Sequence, residues 1–165
     1  MHIYMTKSYI FDLDYTLYSE YDVNDKGNEH QFYESFKKKP LLSKLIKSLP
    51  GKKFIFTNGN KVHLDDVLKK MKLKSAFDNT ANSDEFNLHM KPDIYSYLYV
   101  DNKFKLDKFK EVYFFEDSLD NLKTAKKLGW KTILIDLKRI YPKNISYVDY
   151  QFSTVEKALI FLHSH

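Results

Sequence analysis

The sequence predicts an α/β fold, a single three-layer α/β/α sandwich built around one parallel sheet. Short runs rich in aromatic and β-branched residues are continuously apolar, which is typical of strands buried on both faces of a parallel sheet. Amphipathic segments separate these runs, and alternating strands and helices favour a doubly wound sheet. With 165 residues, the chain has room for one domain spanning 1–165 and little room for another.

Four strands are predicted from these apolar runs. They are SYIFDL at 8–13, KKFIFT at 52–57, EVYFFE at 111–116 and KTILID at 131–136. We expect a parallel sheet of about five strands, with the strand that leads to Asp12 at its centre.

Five amphipathic segments are predicted to form helices. They cover residues 41–49, 61–73, 92–100, 118–129 and 153–164. Pro92 is interpreted as the first residue of the third helix and Gly129 as the stop signal of the fourth. Ser153 or Thr154 is predicted to be the N-cap of the last helix.

The polar segment 18–39 does not show a long helical period. It reads SEYDVNDKGNEHQFYESFKKK over residues 19–39, and it is predicted to be a loop or small flap with one helical turn near 31–36.

Composition and charge exclude several classes of protein. The chain has no cysteine, which excludes disulfides, thiolate zinc sites and cysteine nucleophiles. It shows neither a secretory leader nor a run of about 18 apolar residues, so we expect a soluble, cytoplasmic protein without a membrane partner. The net charge is +5 and the pI about 9.1, but the basic residues are scattered. Charge alone therefore does not predict a nucleic-acid partner.

Polar residues collect where the predicted strands end. They are Asp12, Asp14 and Thr16, then Thr57, Asn58 and Gly59, then Glu116, Asp117 and Ser118, with Lys91 ahead of a helix. Since open α/β sheets bind ligands beyond the carboxyl ends of their strands, we expect these residues to converge on one rim. Convergent carboxylates repel each other unless a cation lies among them, and oxygen ligands favour Mg²⁺.

The same rim carries the groups that phosphoryl transfer needs. A lysine, a threonine hydroxyl and free N–H groups can bind the oxygens of a phosphate. An aspartate can attack phosphorus to give an aspartyl-phosphate, and a second one two residues along can protonate the leaving oxygen and then activate water. Asp12 and Asp14 have this spacing.

Four segments together resemble a known family. FDLDYTLY, FTNGN, KPD and FFEDSLDN, in that order, resemble the four motifs of the haloacid dehalogenase (HAD) superfamily of hydrolases. The resemblance covers nearly the whole chain and is nearest to the pyrimidine 5′-nucleotidase-like branch. It implies a HAD-like, Rossmann-like sheet and a Mg²⁺-dependent phosphatase that acts on a phosphomonoester.

The resemblance implies a catalytic pair and a metal site. Asp12 would be the nucleophile and a metal ligand. Asp14 would be the general acid/base and would bind the metal through its backbone carbonyl, while Asp117 would complete the Mg²⁺ site. Glu116 stands where that branch often has aspartate, and its implied role is to reach metal-bound water or to cap a helix. Asn121 is given an outer-shell role at most.

The resemblance also implies a phosphate-binding set. Thr57 and the N–H groups of Asn58 and Gly59 would hold the transferring phosphoryl group. Lys91 would neutralise both the nucleophile and the phosphate. Thr57 and Lys91 both count among the catalytic and the substrate-binding residues.

One departure from the family concerns the cap domain that usually separates the first two motifs. Thr16 and Thr57 are only 41 positions apart, so a cap does not fit and the site is expected to be open. An open site favours a large or extended phosphorylated substrate, such as a nucleic-acid end or a phosphoprotein, over a small nucleotide. Segment 18–39 or the second subunit of a homodimer is the alternative way to cover it.

Other interpretations stay open at this stage. A signalling receiver domain also combines aspartate, Mg²⁺, threonine and lysine, but its phosphorylated aspartate ends a later strand, whereas the second strand here ends at Thr57. A non-catalytic phosphate-binding or scaffold protein is a further alternative. The histidines show no metal-ligand spacing and are interpreted as non-catalytic; they are His2, His30, His63, His89, His163 and His165.

Overall fold

The computed structural model describes residues 6–165 and contains a six-stranded sheet. The strands are β1 (Lys7–Phe11), β2 (Lys52–Phe56), β3 (Asn79–Ala81), β4 (Glu111–Glu116), β5 (Lys131–Ile135) and β6 (Tyr150–Phe152). Their order is β3-β2-β1-β4-β5-β6, and every neighbouring pair is parallel. The α/β fold class and the central place of the strand before Asp12 are confirmed.

The sheet has one strand more than the five or so expected from the sequence. The two strands that were not predicted, β3 and β6, are three residues long and lie at the two edges of the sheet. Their segments, NTA and YQF, are polar or partly exposed, so neither gives the buried apolar run by which the other four were recognised.

Within residues 6–165, six α-helices cover the sheet. They are α1 (Glu29–Glu34), α2 (Pro40–Lys47), α3 (Lys61–Met71), α4 (Ile94–Phe104), α5 (Leu119–Lys127) and α6 (Val155–His163). Buried residues of α2, α3 and α6 pack on one face of the sheet, and those of α4 and α5 pack on the other. The result is the three-layer α/β/α sandwich. None of the helices in residues 6–165 combines the length and apolar character needed to cross a bilayer.

Helix boundaries follow their capping residues. Thr154 caps α6, and Gly129 with a φ of 82° follows the end of α5, as expected. The prediction that Pro92 begins the helix expected over residues 92–100, which is α4, is wrong. The helix starts at Ile94 because the Asp93 side chain accepts a hydrogen bond from the Tyr95 N–H at 2.9 Å and serves as N-cap.

Segment 18–39 folds onto the domain beside the end of β1. Its helix α1 begins behind Asn28, whose side chain forms a reciprocal capping box with Gln31. Phe36 is buried, and Phe32 and Tyr33 pack against the core on the α2–α3 side. The expected helical turn is present, and the segment is anchored through its aromatic residues.

Candidate active site

The loop after β1 places two aspartates at the carboxyl end of the sheet. The Asp12 N–H donates to the Phe115 carbonyl at 2.9 Å, which continues the pairing of β1 with β4 by one residue. The chain then turns, with the Leu17 N–H donating to the Leu13 carbonyl at 3.0 Å and Tyr15 at a φ of 58°. A positive φ at a tyrosine is uncommon, and such conformations concentrate at functional loops. Asp12 is buried, whereas Asp14 is half-buried.

Lys91 reaches the same point from the loop before α4. Its Nζ donates to Asp12 Oδ1 at 3.0 Å, to Glu116 Oε2 at 2.9 Å and to the Phe56 carbonyl at 2.7 Å. All three ammonium hydrogens therefore have partners, and the side chain is only 1% exposed. Asn58 fixes the loop, because its side-chain amide exchanges two hydrogen bonds with the Lys91 backbone at 2.9 and 3.0 Å.

Asp12, Glu116 and Asp117 form a compact acidic cluster. One carboxylate oxygen from each lies within 4.8 Å of the others. Thr16 Oγ1 donates to Asp12 Oδ2 at 3.1 Å, and Glu116 Oε1 accepts the N–H groups of Asp117 and Ser118. Three carboxylates face one lysine, so negative charge is in excess. A hard divalent cation fits this set of oxygen donors.

The pKa values of the three carboxyl groups in the cluster reflect this excess of negative charge. Burial, together with the nearby Glu116 carboxylate, raises the pKa of Asp12 to about 7 against the opposing effect of Lys91. Burial and the charges of Glu116 and Asp12 raise the pKa of Asp117 to about 10. Burial is the largest single effect on Glu116 and raises its pKa, but the charge of Lys91 and the hydrogen bonds to Asp117, Asp12 and Lys91 together keep that pKa below its ordinary value. A divalent cation would offset the repulsion and displace the extra protons.

Binding of Mg²⁺ is therefore expected to stabilise the protein more at about pH 8 than at about pH 5.5. The folded-state pKa values of Asp12 and Asp117 exceed the unfolded ones, so their stabilising contribution is complete in acid and is lost as pH rises through about 4 to 7 and beyond. Mg²⁺ removes that loss. At about 100 times its Kd, we expect Mg²⁺ to raise Tm by about 5–10 °C near pH 8.

Thermal unfolding with Mg²⁺ or EDTA at both pH values measures the effect. Asp117→Asn should abolish the Mg²⁺-dependent rise in Tm, whereas Asp101→Asn, an exposed control on α4, should keep it. A rise that is equal at the two pH values, or that survives in Asp117→Asn, would contradict a metal site at this cluster.

The residues after β2 lie on the other side of Asp12. Thr57 is fully buried and accepts the Gly59 N–H at 3.0 Å through Oγ1, which leaves its hydroxyl hydrogen available to a ligand. The Gly59 N–H was expected to face a phosphoryl group, but in this structure it is turned to Thr57. A Cβ at Gly59 would lie 2.7 Å from His63 Cδ2, so a larger residue at this position would force the His63 ring to shift.

A histidine that the sequence analysis set aside lies in the site. His63 Nε2 is 2.6 Å from Asp14 Oδ1, and His63 Nδ1 is 2.6 Å from the Tyr33 hydroxyl. The Tyr18 hydroxyl donates to the same Asp14 oxygen at 2.5 Å. His63 was interpreted from the sequence as non-catalytic and was not expected at the site, but the structure places its ring against Asp14. His2 lies outside the described residues.

Asn121 does not join the acidic cluster. Its N–H donates to Ser118 Oγ at 3.4 Å, and its carbonyl accepts the Tyr97 hydroxyl at 2.6 Å. It therefore belongs to the first turn of α5 and to the packing beneath it.

A cavity of about 340 Å³ opens beside Asp117. Its lining includes Tyr15, Tyr141 and Lys138 together with the carboxylates Glu20, Asp25 and Asp136. Lys138 is paired with Glu20 at 3.4 Å, and Asp136 accepts backbone N–H groups of the loop that follows β5. The cavity thus combines two aromatic rings with an excess of carboxylates.

Solved structures share this fold at low identity. L-2-haloacid dehalogenase from Xanthobacter autotrophicus, with chloropropionic acid covalently bound, matches with a TM-score of 0.72 at 14% identity over 96% of this chain and 99% of that chain. A Thermotoga maritima protein assigned as a β-phosphoglucomutase matches with a TM-score of 0.65 at 16% identity, over 96% and 99%. YfnB from Bacillus subtilis, solved bound to magnesium, matches with a TM-score of 0.66 at 21% identity, over 81% and 59%.

The family assignment rests on the sequence match. No curated protein matches this chain. The family model described as haloacid dehalogenase-like hydrolase matches residues 21–135, well over half of the chain. The matched stretch contains Thr57, Lys91 and Asp117 and begins after the loop of Asp12 and Asp14. The chain therefore belongs to the haloacid dehalogenase-like hydrolase family.

Proposed function

We propose that this hydrolase is a Mg²⁺-dependent phosphatase that cleaves phosphomonoesters through an aspartyl-phosphate on Asp12. The observation that carries the proposal is the acidic cluster of Asp12, Glu116 and Asp117. Lys91 binds Asp12 and Glu116, and the half-buried Asp14 lies two residues after Asp12. Among the residues described, this arrangement supplies a buried nucleophile, a place for a cation and a nearby acid.

The chemistry needs two steps, and the chain offers a residue for each proton transfer. An Asp12 carboxylate oxygen forms a bond to phosphorus while the bond from phosphorus to the ester oxygen breaks, and Asp14 gives its proton to the departing oxygen. Asp14 then takes a proton from water as that water attacks phosphorus. This second step breaks the bond between phosphorus and Asp12 and releases phosphate.

Positive charge near the phosphoryl oxygens lowers the barrier of both steps. Mg²⁺, held by Asp12, Asp117 and the Asp14 carbonyl as the family resemblance implies, would balance the carboxylates and the phosphoryl oxygens. Lys91 keeps Asp12 in place through its 3.0 Å hydrogen bond, and the buried Thr57 hydroxyl can donate to a phosphoryl oxygen.

Dehalogenation of a 2-haloacid fits the site less well. A halide leaves without a proton, so Asp14 would have no partner in the first step. A cation held by the acidic cluster would balance the two negative charges of a phosphomonoester, whereas a 2-haloacid has a single charge and needs this balance less.

The proposed enzyme has no cap domain and belongs with the 5′-nucleotidase-like branch. Segment 18–39 is the whole insertion between the first two motifs apart from α2 and β2, and it packs onto the core. An open site favours an extended substrate, such as a nucleic-acid end or a phosphoprotein, which can itself exclude water. A homodimer that covers the site is the alternative.

A specific observation favours a small substrate as the second candidate. The cavity beside Asp117 has a volume of about 340 Å³, and its carboxylates outnumber its single lysine. Such a lining repels a polyanion, whereas its two tyrosines suit the ring of a neutral nucleoside. A nucleoside monophosphate would then be a better substrate than a phosphorylated oligonucleotide.

A substrate panel with Mg²⁺ tests the proposal. We expect phosphate release from p-nitrophenyl phosphate and from at least one of three natural classes, namely mononucleotides, oligonucleotides with 3′- or 5′-phosphates, and phosphopeptides. A higher kcat/KM on an oligonucleotide than on the matching mononucleotide, with a preference that shrinks with salt, supports the extended substrate. The reverse order supports the small one.

Two other outcomes would replace the proposal. Halide release from L-2-chloropropionate without phosphate release from any ester would establish a dehalogenase. Tight phosphate binding without turnover of any substrate would establish the non-catalytic, phosphate-binding alternative.

A further inference from the structure

We propose that His63 and Tyr33 are positioning residues that direct the acidic proton of Asp14 to its Oδ2 atom, the oxygen that stays available to a leaving group. The proposal rests on the phosphatase function above and concerns the proton that Asp14 passes to the leaving group. Its basis is a chain of short hydrogen bonds that connects segment 18–39 to Asp14.

Two donors contact one oxygen of Asp14. Tyr18 donates its hydroxyl hydrogen to Oδ1 at 2.5 Å, and His63 Nε2 approaches the same atom at 2.6 Å. Within residues 6–165, Oδ2 has no hydrogen-bond partner. An oxygen that accepts two hydrogen bonds is the worse place for a third hydrogen, so a protonated Asp14 carries its proton on Oδ2.

Tyr33 fixes which nitrogen of His63 bears hydrogen. Asp14 Oδ1 accepts, so Nε2 must donate, and Nδ1 of a neutral ring is then an acceptor. The Tyr33 hydroxyl lies 2.6 Å from Nδ1, and in this tautomer the hydroxyl is the donor. The direction of donation therefore runs from Tyr33 through His63 to Asp14. Without Tyr33, the ring can place its hydrogen on Nδ1 and stop donating to Asp14.

The fold holds both Tyr33 and His63 in this series of hydrogen bonds. Tyr33 lies on α1 and packs against the core, and His63 lies in the first turn of α3 with its N–H bonded to the Asn60 cap at 2.8 Å. Gly59 leaves the space that the ring occupies, since a Cβ there would lie 2.7 Å from His63 Cδ2. Segment 18–39 thus contributes to catalysis through Tyr33, whether or not it covers the substrate.

The expected signature is a dependence on the leaving group. A p-nitrophenolate leaves with little help from an acid, whereas an alkoxide needs the proton of Asp14. In Tyr33→Phe and His63→Leu, we expect kcat/KM on 2-phenylethyl phosphate to fall by about 10- to 100-fold, below the 10²–10⁴ range for losing an acid altogether. On p-nitrophenyl phosphate we expect kcat/KM to fall by less than about threefold. This constant reports only the steps up to departure of the leaving group, which here needs little help from an acid.

Three comparisons separate positioning from a structural effect. His63→Gln keeps an N–H donor and should recover much of the activity lost in His63→Leu. Tyr99→Phe removes a tyrosine hydroxyl bonded to Glu85 at 2.8 Å, away from Asp14, and should leave the ratio of the two esters unchanged. Tyr33→Phe removes one oxygen at a half-buried position, so it decides the question if His63→Leu fails to fold.

The outcomes distinguish this inference from the function on which it rests. If the wild-type chain cleaves neither ester, the phosphatase proposal fails and this one fails with it. If the wild type cleaves both esters and the ratio in Tyr33→Phe stays that of the wild type, only the present inference is overturned. Nitrogen NMR of His63 gives a readout without turnover, where hydrogen on Nδ1 rather than Nε2 would also overturn it.

Discussion

Replacing Asp12 by asparagine is expected to lower kcat by about 10⁴-fold or more and to leave the fold intact. An amide oxygen does not attack phosphorus, so the proposed aspartyl-phosphate cannot form. The substitution also removes a buried carboxylate whose pKa is raised to about 7 by burial and by Glu116. The Tm in EDTA should therefore equal or exceed that of the wild type near neutral pH.

Asp14→Asn provides the informative comparison. Loss of a general acid/base, the role proposed for Asp14, costs about 10²–10⁴-fold, and the proposed nucleophile Asp12 stays in place. With p-nitrophenyl phosphate, the p-nitrophenolate group leaves readily without an acid. Asp14→Asn should therefore accumulate a phosphorylated enzyme, which mass spectrometry of quenched reactions detects. Asp12→Asn should form none. Asp101→Asn, an exposed change on α4, should behave as wild type. Wild-type turnover by Asp12→Asn would exclude Asp12 as the nucleophile.

The centre of the fold could be predicted because burial there determines composition. Strands β1, β2, β4 and β5 have neighbours on both sides and helices on both faces, so their residues form continuous apolar runs. The edge strands β3 and β6 have one neighbour each and are three residues long. Their extended conformation depends on pairing with β2 and β5, which a local pattern does not contain.

The candidate site also contains residues that could be predicted from the sequence and residues that could not. Asp12, Asp14, Thr57 and Asp117 follow strands directly, so the ends of parallel strands bring them together without further information. The contact of His63 with Asp14 spans 49 positions and depends on how α3 sits against the loop after β1. Its sequence signal is weak. His63 is the third residue of a helix that starts at the rim, behind the cap residue Asn60.

The partner of Glu116 was equally hidden from the sequence. Its place in the family motif implied contact with metal-bound water or a helix cap, and both of its N–H contacts fit the second role. Its other oxygen binds Lys91, which lies 25 positions away on a different loop. An aspartate is one methylene shorter, so glutamate at this position reaches the lysine from the end of β4.

Replacing Lys91 by methionine is expected to destabilise the protein by about 3–5 kcal/mol in EDTA as well as to abolish turnover. Its ammonium group is the shared partner of Asp12 and Glu116, and all three groups are at least nine-tenths buried. Without it, the two carboxylates face each other with no compensating charge, and each loses a hydrogen bond of 2.9–3.0 Å. Chemical denaturation in EDTA measures the loss.

A second substitution tests whether charge is the cause. Glu116→Gln in the Lys91→Met background removes one of the uncompensated carboxylates, so the double variant should regain at least about half of the lost free energy of unfolding. Saturating Mg²⁺ should also stabilise Lys91→Met more than the wild type, because the ion becomes the only compensating charge at the cluster. A double variant no more stable than Lys91→Met would show that the loss comes from packing rather than charge. Turnover should stay absent in both variants. The double variant regains stability but still lacks the Lys91 ammonium group that would orient Asp12 for the proposed attack.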